Sequence, residues 1–154
     1  MSLSIGLWTI RRARAEEMPT LADIYLTVRR TTFTWVDPGR FHREDFSTHT
    51  KDETLFVCHN EDCGIAGFLA LWEPENFIHM LYIRPEFQGQ GAGTALLNAL
   101  PNWPRRRYRL KCLVKNKRAL AYYEAMGFEV SGFGASPEGD YKDMELVTTA
   151  GRIR

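Results

Sequence analysis

The chain has 154 residues, 44% hydrophobic and 25% charged, with a formal net charge of +1. That length suits one domain spanning 1–154 with an adequate core, and the near-neutral charge leaves no general footprint for nucleic acid or an anionic membrane, so neither is expected as a partner. Cys58, Cys63 and Cys112 are odd in number and lack metal-ligand spacing, which excludes a disulfide framework and a zinc motif and fits a cytoplasmic protein.

Met1-Ser2-Leu3 could be a cloning remnant, and no apolar run has the length of a signal-peptide core or a bilayer span. Residues 9–12 read as a short strand. Leu21, Ile24, Tyr25 and Val28 fall at i, i+3, i+4 and i+7, one face of a helix with Pro19 in its first turn. An aromatic stretch, 31–35, turns at Asp37-Pro38-Gly39, and a less regular helix is expected over 41–50. Strands over 55–59 and 65–71 make a hairpin across the polar turn 60–64. Residues 77–83 form the next strand, and 94–100 a helix stopped by Pro101. A strand over 108–114 alternates Tyr108, Leu110, Cys112 and Val114 with the residues between. The basic run Arg105-Arg106-Arg107 before it, with Arg109 and Lys111, is either a solvated edge or a contact for phosphates. Residues 117–126 are helical with Gly127 at C′. Two closing strands, 128–131 and 142–147, flank a loop over 134–140, and 150–154 reads as a loose tail. The order predicts an α/β fold, a mixed and mostly antiparallel sheet flanked by helices.

Two segments carry chemistry. The first joins the strand 77–83 to the next helix through Gln88-Gly89-Gln90-Gly91-Ala92-Gly93-Thr94. Three glycines let backbone N–H groups approach a ligand closely, and the helix start adds unpaired donors and a positive dipole end, which suits a phosphate. The spacing lacks the third glycine of the dinucleotide fingerprint, and no Gly-Lys-Ser/Thr follows as a Walker loop requires. The second segment is Asn116-x-x-Ala119-x-x-x-Tyr123-x-x-x-Gly127-Phe128. Together, in this order and with a strand between them, the segments resemble the pyrophosphate loop and the tyrosine helix of the GNAT superfamily of N-acetyltransferases.

The resemblance implies acetyl-CoA as co-substrate, no metal, a small-molecule primary amine as acceptor, and a cofactor cleft between two splayed parallel strands. It places the pyrophosphate on the N–H groups of Gln88, Gly89, Gln90, Gly91, Ala92, Gly93 and Thr94. It places the pantetheine arm along the main chain of Leu81, Tyr82 and Ile83, with Asn116 as a cofactor or helix-start contact. Tyr123 matches the position of the general acid: a phenol stays protonated at neutral pH and can donate to a thiolate as it forms. Tyr122 would then be the exposed tyrosine of the pair.

For the base that deprotonates the amine, Glu73 and His79 are both candidates. Histidine titrates near neutrality, and strand parity puts His79 on the sheet face of Leu81 and Ile83. An aromatic and acidic acceptor pocket is expected from Phe33, Trp35, Trp72 and Phe77 with Asp37 and Glu73, although Trp35 could equally serve the core. An acyl-CoA-binding or sensing module without turnover, and a transferase acting on lysine or an N-terminus of proteins, stay open as alternatives. A homodimer is an assembly this fold permits.

Overall fold

The computed structural model describes residues 7–147; the expectations for residues 1–3 and 150–154 lie outside the described residues. Seven strands join one open sheet: β1 (Thr9–Arg12), β2 (Thr54–Asn60), β3 (Gly64–Trp72), β4 (Phe77–Ile83), β5 (Arg109–Leu113), β6 (Phe128–Ser136) and β7 (Gly139–Leu146). Their order is β1-β2-β3-β4-β5-β7-β6. Every neighbouring pair is antiparallel except β4 and β5, which run parallel. Among the described residues there are four α-helices: α1 (Met18–Thr32), α2 (Asp45–His49), α3 (Ala92–Asn98) and α4 (Lys117–Ala125). None of the described helices is long and apolar enough to cross a membrane.

The helices divide between the two faces because each carries one apolar stripe. Leu21, Ile24, Tyr25 and Val28 of α1 are buried with Phe46 of α2 against Val57, Phe68, Ala70 and Met80. On the other face Leu96 and Leu97 of α3 pack on Cys58, Leu69, Leu71, Leu110, Phe128 and Met144, with Ala119, Leu120, Tyr122 and Tyr123 of α4 against them. Burying one such Leu or Phe completely contributes about 1.5–3 kcal/mol. A third cluster, Phe33, Val36 and Phe41, packs against Leu113 of β5 and roofs the far side of the sheet beyond the end of α1.

Two expectations are corrected. The helix over 41–50 shrinks to the five residues of α2: Phe41 is extended (φ −99°, ψ 126°) and buried in the third cluster, so it cannot begin a helical turn. The loop over 134–140 is instead the continuation of β6 and β7 around a two-residue turn, Pro137-Glu138. This hairpin lacks an alternating apolar pattern, because β6 is an edge strand that exposes Phe133. It is held by Trp35, whose Nε1 donates to the Glu138 carbonyl at 2.7 Å, and by Ser136 Oγ donating to the Gly139 carbonyl at 2.8 Å. A Cβ at Gly134 would meet the Tyr141 ring, which would have to move to admit it.

Candidate active site

β4 and β5 pair only at Phe77↔Arg109 and Ile78↔Leu110. Beyond those two positions the strands part, and β4 from His79 to Ile83 faces β5 across a gap rather than a ladder. The gap is the floor of a cleft of about 560 Å³ that reaches both faces of the sheet. An unpaired run of strand backbone at such a place must find hydrogen-bond partners in water or in a ligand.

One wall is formed by the glycine loop and α4. Gly91 sits at φ 85°, a conformation that favours glycine, and turns the chain into α3, which starts two residues earlier than expected, at Ala92. Gln88 Nε2 donates to the Ile83 carbonyl at 3.0 Å, fixing the loop to the end of β4, and Arg118 Nη1 reaches Gln88 Oε1 at 3.4 Å. Arg118 lines the cleft beside Gln88, Gly89, Gly91, Gly93 and Thr94, a cation at the loop that the motif spacing does not signal. Gln90 is not among the lining residues; its carbonyl accepts from Trp8 Nε1 at 2.9 Å. Asn116 caps α4 by accepting from Ala119 N–H at 3.2 Å and also lines the cleft.

Tyr122 and Tyr123 both reach this wall. Tyr122 is not the exposed member of the pair: it is half-buried, and its hydroxyl shares a hydrogen bond with Thr94 Oγ1 at 2.9 Å. The Tyr123 ring packs edge-on to Phe128, and burial pushes its phenol well above the ordinary value, with Cys112, Tyr122 and Tyr82 as its titratable neighbours. A hydroxyl in that setting is held protonated. Cys112 lines the same cleft, and burial pushes its thiol up to about 11, which keeps it from acting as a thiolate nucleophile near neutrality.

The opposite wall corrects the parity argument for His79. Ala70 pairs with Met80 but Leu71 pairs with Ile78, so His79 is the extra residue of a β-bulge. Ile78 therefore shares a cluster with Leu81 and Ile83, whereas His79 turns to the α1–α2 face. There its Nδ1 lies 2.8 Å from Oε2 of Glu53, a carboxylate from the α2–β2 connection whose side chain is only 9% exposed and whose Oε1 is buried without a partner. His79 lines the cleft. Nothing local marks Glu53 in the sequence, since it is 26 residues from His79.

Glu73 is placed elsewhere. It is exposed in the turn Glu73–Glu75, and its Oε2 accepts from Thr54 Oγ1 at 2.8 Å. Of the four aromatics expected around an acceptor, Phe33 lines the cleft, while Trp72, Trp35 and Phe77 do not. Trp72 and Phe77 pair across β3 and β4, and Trp35 braces the hairpin turn. Asp37 is spent on its own turn, accepting from Gly39 N–H at 2.9 Å.

The chain belongs to the acetyltransferase (GNAT) family, whose model matches residues 18–128. An uncharacterized N-acetyltransferase of Methanocaldococcus jannaschii is 39% identical over 56 residues, which make up 34% of this chain and 25% of that protein. The match thus spans about a quarter of that relative's length. In fold, the chain is similar to apo-form YjaB from Escherichia coli, with TM-score 0.73 and 23% identity over 92% of this chain and 99% of that one. It is also similar to the PaiA N-acetyltransferase of Thermoplasma acidophilum in complex with coenzyme A, with TM-score 0.72 and 20% identity over 90% and 98% of the respective chains.

Proposed function

We propose that the chain is an acetyl-CoA-dependent N-acetyltransferase that passes the acetyl group directly to a primary amine of a small molecule. The observation that carries this reading is the parting of β4 from β5 after Ile78, with Tyr123 on one side of the gap and His79 on the other. The residues present fit acetyl-CoA: a run of unpaired strand backbone for an extended amide-containing arm, and a glycine loop with Arg118 for phosphates. Acetyl-CoA supplies the acetyl group as a thioester.

In this scheme the backbone of Gln88 to Thr94 and the Arg118 guanidinium bind phosphate oxygens, and the main chain of Leu81, Tyr82 and Ile83 aligns the arm. His79 accepts the amine proton on Nε2 while Glu53 holds Nδ1–H and favours the imidazolium once it forms. The amine nitrogen then bonds to the acetyl carbon, the carbon–sulfur bond breaks, and Tyr123 gives its proton to the departing sulfur. Glu53 is a positioning residue here, and His79 takes the role over Glu73 because Glu73 does not reach the cleft.

Thr31, Thr32 and Phe33 line the acceptor end of the cleft, and this local lining is the basis for preferring a compact acceptor over a peptide. The test is thiol release from acetyl-CoA with a panel of small amines and of lysine-containing and N-terminal peptides. Small amines are expected to give the higher kcat/KM; the reverse ranking would make it a protein-modifying transferase. Binding of acetyl-CoA without amine-dependent release would make it a sensing module.

A further inference from the structure

Directly behind the acceptor side of the cleft lies a cation with no carboxylate beside it among the described residues. Arg29, near the end of α1, lies among three aromatic rings, its guanidinium carbon 5.1 Å from the centroid of Tyr25, 5.5 Å from Phe33 and 5.1 Å from Phe41. Its Nη1 donates to Tyr82 Oη at 3.0 Å, and its Nε is buried with no partner. Among the described residues no carboxylate lies within 4.0 Å of it, whereas Arg11, Arg43 and Arg109 pair with Glu17, Asp23 and Glu75. Asp45 and Glu138 act on this neighbourhood only at longer range, through the phenol of Tyr25. His49 adds no compensating charge, since burial and Arg29 both push its imidazole toward the neutral form.

Withdrawing a guanidinium from water without an anion is unfavourable, and cation–π contacts offset only part of that cost. A planar fork with free N–H groups is matched by a carboxylate, which it can bind through two hydrogen bonds. The arginine does not itself line the cleft but adjoins it through Val28, Phe33 and its hydrogen-bond acceptor Tyr82, all of which do. No Asp or Glu is among the described residues that line the cleft, so the expected acidic pocket does not form there.

From this geometry we infer that Arg29 is the anchor for a carboxylate on the acceptor, so that the amine acetylated is an amino acid or another amine bearing a carboxylate. This rests on the acetyl-transfer reading. The carboxylate binds the free guanidinium edge, and the aromatic rings exclude water around the pair. The chemistry does not by itself separate a carboxylate from a phosphonate, and the experiment does.

Thiol release from acetyl-CoA is measured with matched amines: a series of amino acids, the same molecules as carboxamides, the same lacking the carboxylate, and the aminophosphonate analogues. The wild type is expected to favour the carboxylates over their uncharged partners by about ten- to a hundred-fold in kcat/KM. Arg29→Gln should reduce the carboxylates at least about ten-fold more than the uncharged amines, mainly through KM, with Arg29→Lys recovering part of the preference. Melting temperatures of both variants separate this from loss of fold. Equal rates for charged and uncharged partners, a preference for the phosphonates, or equal losses on both classes in Arg29→Gln and Arg29→Lys would overturn the carboxylate anchor while leaving acetyl transfer intact. No release with any amine would instead overturn acetyl transfer itself, and the anchor with it.

Discussion

The two walls of the cleft are built from different materials. On the α3–α4 side the working groups are mostly backbone: glycine-loop N–H groups and the unpaired edge of β4. On the α1–α2 side the proposed groups are side chains brought from four separate places, His79 in a bulge of β4 and Phe33 after α1 in the wall itself, with Glu53 before β2 and Arg29 on α1 behind them. A backbone site imposes a residue pattern, because only certain spacings of glycine allow the turn. A side-chain site imposes geometry alone, and many sequences can supply it.

The largest effect expected from breaking this division is at Tyr123. Tyr123→Phe keeps the ring packed on Phe128 and removes the proton, and should lower kcat by about a hundred- to ten-thousand-fold with little change in acetyl-CoA affinity. Tyr122→Phe removes only the bond to Thr94 and should act mildly and through cofactor affinity. Steady-state kinetics with acetyl-CoA titrations check both; equal behaviour of the two variants would remove the acid role from Tyr123.

Next comes the opposite wall. His79→Gln should lower kcat/KM by about a hundred-fold or more in steady-state kinetics with an accepted amine. Glu53→Gln should cost about ten-fold, with Glu53→Asp recovering part of the rate. A His79→Gln rate close to wild type would remove the base role from His79.

The backbone wall responds through binding. Acetyl-CoA at a hundred times its Kd should stabilise the fold by about 2.7 kcal/mol, which raises Tm by roughly 5–10 °C. Gly91→Val, strained at φ 85°, should lower Tm without ligand and, separately, shrink that rise. A full rise in the variant would remove the loop from the phosphate site.

The smallest effect lies away from both walls. Arg11 donates to Glu17 at 3.0 and 2.6 Å, and this, with the Arg14 backbone N–H, holds the Glu17 carboxyl down at about 2 despite partial burial. A depressed carboxyl stabilises the fold above its unfolded pKa and loses that contribution as pH falls through the folded value. Glu17→Gln should therefore lower Tm by roughly 2–4 °C at neutral pH, for a pair worth about 1 kcal/mol. The gap to wild type should close between about pH 4.5 and pH 2. A constant gap would mean that the loss is one of packing.

The same division explains what the sequence reveals. The spacings Gln88-x-x-Gly91-x-Gly93 and Asn116-x-x-Ala119-x-x-x-Tyr123 mark the backbone wall and its tyrosine, and periodicity marks α1 and β5. His79 is visible as a residue type but its direction is not, because a bulge inverts strand parity and leaves no trace in composition. Glu53 and Arg29 are ordinary charged residues by pattern; burial beside a histidine and within three aromatic rings sets them apart. The long β6–β7 hairpin escapes notice for a related reason, since an exposed edge braced by one distant indole needs no alternating apolar residues.

The central claim is that the acetyl group crosses the gap from one wall to the other without a protein-bound stage. Initial rates measured while acetyl-CoA and an accepted amine are both varied test it most directly. Intersecting reciprocal plots, which require both substrates in the cleft together, are the expected result; parallel plots, the mark of an acetylated enzyme, would contradict it and turn attention to a nucleophile in the cleft.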